Sequence, residues 1–161
     1  MTRPAPTLVG EPAPDFAARN QHGQTVTLAD LTGSRSLLFF FPWAFSRICS
    51  GELSELRRHA EMYAAHRVRV LGLSCDAMFS LRAYAEAEGI DFDLVSDHWP
   101  HGAIARAYGV FDAEAGCALR GSFFVDESLR VVESVVRPIQ TAREIGPLPA
   151  GWDRVGQRAG A

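Results

Sequence analysis

Only three cysteines, at 49, 75 and 117, occur in the 161 residues, and no two form a CxxC pair. An odd, widely spaced set argues against a disulfide framework, and it offers no Cys/His ligand spacing for zinc. Long apolar runs are lacking too. The longest, Leu37 to Phe41, falls far short of the roughly 20 residues that cross a bilayer. Met1 to Gly10 holds no apolar stretch of the secretory kind, so the cytoplasm is the expected compartment. No dense block of basic residues appears, and the net charge of −3 argues against a nucleic-acid surface. No internal repeat is visible. What is present is 47% hydrophobic and 22% charged, the composition of an ordinary globular chain with one core. A single domain over residues 1–161 is expected, with 147–161 as an extended tail rich in Pro and Gly.

Residues 1–15, rich in proline and polar side chains, read as irregular. The alternation over 25–28 predicts a short strand before a turn at Thr32-Gly33-Ser34. Residues 36–41 are a continuous apolar run stopped by Pro42, which suits a strand buried on both faces. A helix follows, to about Arg67. Leu53, Leu56, Ala60 and Tyr63 recur at three- and four-residue spacing, with Glu55, Arg57, Arg58 and Glu61 mostly on other faces. Strands are expected at 68–74 and 92–95, and helices at 79–88, closed by Gly89, and at 101–108. Residues 121–125 and 130–136 read as a hairpin joined by Asp126-Glu-Ser-Leu129. Residues 141–145 are expected to make one helical turn or two before Gly146-Pro147. The β-α-β-α-β-α order followed by a hairpin predicts an α/β chain with a mixed central sheet and helices on both faces.

In such a sheet, sites lie beyond the carboxyl ends of the parallel strands. Cys49 follows one of them. Ser46 is the candidate N-cap of the next helix, which places Cys49 at its third position, among backbone N–H groups that the helix itself leaves unpaired. A thiol is a weak nucleophile until it ionises. At the ordinary pKa of about 8.5, roughly 3% is thiolate at neutral pH, and a helix N-terminus favours the anion. Each neighbour also has a plainer reading. Pro42 terminates a strand, Ser46 caps a helix, and Glu52 suits the first-turn dipole. Asp126 suits a turn, and Trp43, Phe45 and Trp99 suit a core or an interface.

Taken together, Pro42-x-x-x-Ser46-x-x-Cys49, Glu52 three residues later, Arg120 ahead of Phe123-Phe124-Val125-Asp126, and the opening Gly10-Glu-Pro-Ala-Pro-Asp-Phe16 resemble the peroxiredoxins. Residues 96–111 resemble the one-cysteine alkyl hydroperoxide reductase E group of actinobacteria, and the likeness spans about residues 8–137. The resemblance implies a thioredoxin-like fold and a thiol-dependent peroxidase acting on hydrogen peroxide and organic hydroperoxides. Cys49 would be the peroxidatic thiol, and Arg120 would hold both thiolate and peroxide. Ser46 would donate to one peroxide oxygen and accept from its proton, Pro42 would shield the thiolate, and Glu52 would orient Arg120. The chemistry needs no cofactor and no metal, and His98 and His101 resemble a structural segment of the family.

The pattern also departs from two-cysteine relatives. No Val-Cys-Pro ends the chain, Ser54 stands five residues after Cys49, and neither Cys75 nor Cys117 occupies a resolving position. The tail after Gly146 lacks a clear final amphipathic helix. A one-cysteine mechanism is therefore expected. The sulfenic acid would be reduced by an external low-molecular-weight thiol, with mycothiol the candidate, through a glutaredoxin-like or thioredoxin-like partner. A homodimer follows from family habit. The alternative is a redox sensor or holdase that uses oxidation of Cys49 as a switch.

Overall fold

The computed structural model describes residues 8–153. In chain order the elements are β1 (Ala17–Arg19), β2 (Thr25–Thr27), a 3₁₀ turn (Leu28–Leu31), β3 (Arg35–Phe40), α1 (Arg47–Arg58) and α2 (Ala60–Ala65). Then follow β4 (Val68–Ser74), α3 (Met78–Glu88), β5 (Asp93–Ser96), α4 (Ala103–Ala107), β6 (Phe111–Asp112), β7 (Cys117–Ala118), β8 (Arg120–Val125) and β9 (Val131–Arg137).

The central sheet has five strands in the order β5-β4-β3-β8-β9. Strands β3, β4 and β5 are parallel, and the β8–β9 hairpin joins antiparallel through β8 on β3. This is the mixed sheet that the order of elements predicts. The continuous apolar run of β3 has its cause here, since the strand is central and both faces are covered. Alternate side chains divide between two cores. Leu38 and Phe40 pack with Phe16, Tyr108 and Phe123 on one face. Leu37, Phe39 and Phe41 pack with Leu53, Leu56, Tyr63 and Tyr84 on the other.

The strand expected over 25–28 is β2, while three elements escape the sequence pattern: β1 and the two-residue strands β6 and β7 are too short to show a period. The helix expected to run to Arg67 is broken at His59, where the chain turns (φ −90°, ψ 4°) before α2. Residues 141–145 form no helix, contrary to expectation. The backbone N–H of Arg143 donates to the Glu52 carboxylate at 2.8 Å, so it is spent outside any helical ladder. Of the segment 147–161, residues 147–153 are described, and Trp152 in it is buried against Phe124. Residues 154–161, and 1–7 of the irregular N-terminal stretch, lie outside the described residues.

Asp126 makes the hairpin turn, as its plainer reading has it. Its Oδ1 accepts from the N–H groups of Ser128 and Arg130 at 2.9 and 3.0 Å. Gly102, the N-cap of α4, sits at φ +70°, and a Cβ there would run into the ring of Phe111. Gly102→Ala is expected to cost about 2–4 kcal/mol, from the left-handed backbone plus displacement of that ring. Urea unfolding measures it, and a loss under about 0.5 kcal/mol contradicts it.

Candidate active site

The carboxyl end of β3 delivers Pro42, which is buried, and the loop 43–46 then turns into α1. Phe45 in this loop stands at φ +67°, a conformation that costs a bulky side chain about 1–2 kcal/mol. Two contacts offset the strain. The Phe45 ring meets Tyr84 edge-on with centroids 4.9 Å apart, and the Ala44 N–H donates to Asp76 Oδ2 at 2.9 Å. Ser46 is the N-cap, its hydroxyl accepting from the Cys49 N–H at 3.4 Å. Cys49 is therefore the third residue of α1, and it is fully buried. On the next residue, Ser50 Oγ lies 3.1 Å from the Tyr84 hydroxyl.

Facing the sulfur is Arg120, at the start of β8, with Nη1 3.3 Å from Cys49 Sγ. The same nitrogen donates to Glu52 Oε1 at 2.6 Å, and Nε donates to the Ile139 carbonyl at 2.6 Å. Glu52 lies three residues beyond Cys49 and so shares its helix face. Its carboxylate also takes a second arginine that the sequence pattern gave no reason to single out. Arg143 donates to it through the backbone N–H at 2.8 Å, Nε at 2.9 Å and Nη2 at 3.0 Å. Arg143 Nη1 reaches Ser122 Oγ at 3.2 Å, and its guanidinium lies 3.6 Å from the centroid of the Phe39 ring.

The side chains of Arg120, Glu52 and Arg143 are 2%, 2% and 0% exposed. Two guanidinium groups against one carboxylate leave one positive charge enclosed beside the sulfur. A thiolate at Cys49 balances the cluster, and an uncharged group there leaves it unbalanced. In surroundings of low dielectric that difference is large.

Burial works to raise the pKa of Glu52. Hydrogen bonds from Arg143 and the charges of Arg143 and Arg120 outweigh it, and the carboxyl is held below its ordinary value. Because the folded value is the lower one, the stabilisation is present above the ordinary carboxylate range and is lost as pH falls below that range and through the lowered folded value. We expect wild-type unfolding midpoints to drop as pH falls from about 6 to 3, and Glu52→Gln to flatten that dependence. At neutral pH the same variant is expected to cost about 3–5 kcal/mol, since both guanidinium groups lose their counter-charge. Parallel acid profiles for the two proteins contradict the assignment.

The other thiols lie in different surroundings. Burial, helped by the charge of Asp97, pushes Cys75 up to about 12. Burial, helped by Asp112, pushes Cys117 up to about 11. All three cysteines are free. His98 Nδ1 lies 3.4 Å from the Cys75 carbonyl, and His101 Nε2 lies 2.7 Å from the Gly116 carbonyl. Trp43, Phe45 and Trp99 are not core residues, being 41%, 57% and 85% exposed.

The arrangement can stabilise an anionic sulfur and then a developing negative charge on an oxygen brought against it. Its sequence frame decides the family, for residues 9–134 match the family model described as "AhpC/TSA family". The chain belongs to the AhpC/TSA family of peroxiredoxins. This peroxiredoxin is 46% identical over 121 residues to alkyl hydroperoxide reductase E of Mycobacterium tuberculosis, covering 74% of this chain and 79% of that one. It is 31% identical over 162 residues to a peroxiredoxin of Thermoplasma volcanium, covering 92% and 78%. The crystal structure of AhpC from Enterococcus faecalis superposes with a TM-score of 0.81 at 27% identity, over 86% of each chain. The thioredoxin-like fold expected from the motifs is thus the fold of its relatives. The chain is a thiol-dependent hydroperoxide reductase. Among the described residues, no helix is long and apolar enough to cross a membrane.

Proposed function

We propose that this peroxiredoxin works by a one-cysteine mechanism centred on Cys49. The thiolate attacks the terminal oxygen of hydrogen peroxide or an organic hydroperoxide, and the O–O bond breaks. Cys49 becomes a sulfenic acid, and the other oxygen leaves as water or an alcohol. Arg120 holds thiolate and peroxide together and meets the charge that builds on the departing oxygen. The Ser46 hydroxyl donates to one peroxide oxygen and accepts the peroxide proton's hydrogen bond. Pro42 shields the sulfur from water, and Glu52 orients Arg120. The observation that carries this reading is the buried cluster with one uncompensated positive charge, aimed at Cys49 Sγ from 3.3 Å.

The reductant in this reading is an external low-molecular-weight thiol. Mycothiol is the candidate, with a glutaredoxin-like or thioredoxin-like partner, acting in the cytoplasm. Two observations support it: Cys75 and Cys117 are buried, and both are held protonated at neutral pH. The working unit in this reading is a homodimer. The support is an exposed aromatic set beyond the carboxyl ends of three parallel strands. Trp43 and Phe45 follow β3, Phe79 follows β4 and Trp99 follows β5. Beside Phe79 and Trp99 runs a groove of about 670 Å³.

The test is one equivalent of hydrogen peroxide or a fatty-acid hydroperoxide in stopped flow, followed by dimedone and peptide mapping. The expected result is a dimedone adduct at Cys49, and a mixed disulfide at the same residue when a small thiol is added first. Rapid and complete formation of a Cys49–Cys75 or Cys49–Cys117 disulfide overturns the one-cysteine mechanism. Fast oxidation with no turnover by any thiol favours the switch reading instead.

A further inference from the structure

The turn that delivers Ser46 to Cys49 is weakly held by its own bonds. The Ser46 N–H meets the Trp43 carbonyl at 3.4 Å, and the Ser46 hydroxyl meets the Cys49 N–H at 3.4 Å. Both lie beyond the usual N–H···O range of about 2.7–3.2 Å. Within the turn Phe45 stands in the left-handed region at φ +67°. Long bonds around a strained residue do not select one shape, so the shape has to be imposed from outside the turn.

The outside holds come from the segment that follows β4. The Phe45 ring meets Tyr84 of α3, and the Ala44 N–H donates to Asp76 Oδ2 at 2.9 Å. Asp76 is itself fastened at three points. Its N–H donates to Ser74 Oγ at 3.2 Å, the Ser74 hydroxyl donates back to Oδ2 at 2.7 Å, and its carbonyl accepts from Ser96 Oγ at 2.6 Å. Ser74 ends β4 and Ser96 ends β5, so Asp76 ties the carboxyl ends of both strands to the loop that leaves β3. The edge of the sheet thereby sets where the backbone of residue 44 stands, two residues ahead of Ser46.

We propose that Asp76 is a positioning residue for peroxide reduction, which holds the Ser46 hydroxyl in place through the Ala44 N–H. The proposal rests on the role given to Ser46 in the peroxidase reading, and it adds a residue from outside the Pro42–Cys49 frame. Asp76 acts through Ala44 and not on the reacting atoms. A hydroxyl helps a reacting oxygen only when it is set in position beforehand, and a displacement of about 1 Å can cost about 10²-fold in rate. One oxygen of Asp76, Oδ2, takes both the Ala44 and the Ser74 donors. The task therefore needs an acceptor and not a charge, and the amide oxygen of an asparagine can serve in its place.

Stopped-flow oxidation of Cys49 by hydrogen peroxide tests this, with circular dichroism and the ultraviolet absorbance of the thiolate recorded on each variant. Asp76→Ala is expected to slow oxidation about tenfold or more with the thiolate still formed, and Asp76→Asn to recover the rate to within about threefold of wild type. Asp76→Ala within about threefold of wild type overturns the proposal. So does an Asp76→Asn as slow as the alanine variant, or a loss of thiolate that accounts for the slowing. A double-mutant cycle with Ser46→Ala supplies a readout that general loosening of the fold would not give. In that background Asp76→Ala is expected to add less than about threefold, because no hydroxyl is left to position, and fully multiplicative losses overturn the link. If Asp76→Ala does not fold, Ser74→Ala carries the test, since it unties the carboxylate and leaves it in place. Slowing by about threefold or more supports the proposal, and a wild-type rate overturns it. The wild type is assayed first. A wild type that peroxide does not oxidise at Cys49 overturns the peroxidase reading and the role of Asp76 with it, whereas a reactive wild type with unresponsive variants sinks the role of Asp76 alone.

Discussion

Cys49→Ser is expected to consume hydrogen peroxide no faster than buffer, while Cys75→Ala and Cys117→Ala stay within about threefold of wild type. The contrast follows from surroundings that differ in sign. Cys49 faces a guanidinium at 3.3 Å in an enclosure short of negative charge. Cys75 and Cys117 face burial and carboxylates, which push their thiols up to about 12 and about 11. At pH 7 those values leave about one thiolate in 10⁵ and one in 10⁴. Neither can compete as a nucleophile. The assay is peroxide decay with excess small thiol, with circular dichroism as the check on folding. A folded Cys75→Ala or Cys117→Ala that has lost turnover would assign that cysteine a resolving role.

The second large effect is at Arg120. Arg120→Lys is expected to slow oxidation of Cys49 by roughly 10²-fold or more, equivalent to about 2.7 kcal/mol of transition-state stabilisation. The wild-type guanidinium makes three contacts, from Nη1 to Cys49 Sγ and Glu52 Oε1 and from Nε to the Ile139 carbonyl. An ammonium keeps the charge but is a single point on a flexible stem, and it cannot reach sulfur, carboxylate and carbonyl together as the forked guanidinium does. The same change would introduce the only lysine of the chain, since all of its 16 Lys and Arg residues are arginine. Stopped-flow fluorescence at varied peroxide concentration gives the second-order constant. A lysine variant within about threefold of wild type removes Arg120 from the proposed role.

What could be read from the sequence was what is local in the chain. Ser46, Cys49 and Glu52 fall within seven residues of one helix start, so their three-residue spacing places them on one face. Strand β3 was legible because a central strand buried on both faces must be apolar throughout. Arg143 was not legible. It lies 91 residues from Glu52, in a segment whose composition suits a helical turn, and its backbone N–H is taken by a partner that no local pattern can announce. The break at His59 was hidden because apolar spacing continues through it into α2, with Tyr63 still facing the core. Nor did the sequence separate core from surface among the aromatics. Phe41 and Phe45 are only four residues apart, yet one is fully buried and the other is 57% exposed.

The separation along the chain of the parts that meet at Cys49 sets the order in which the protein can become active. Cys49 lies 71 residues ahead of Arg120, and Glu52 lies 91 ahead of Arg143. During synthesis the first half of the sheet, with α1 and the cysteine, emerges long before either guanidinium exists. A nascent chain, or one truncated before residue 120, carries Cys49 without the guanidinium that faces its sulfur in the folded protein. In the proposed mechanism, fast peroxide reactivity is therefore acquired only once the chain has passed residue 143. Pulse-labelled ribosome-bound chains of increasing length would show it as a late step in the modification of Cys49.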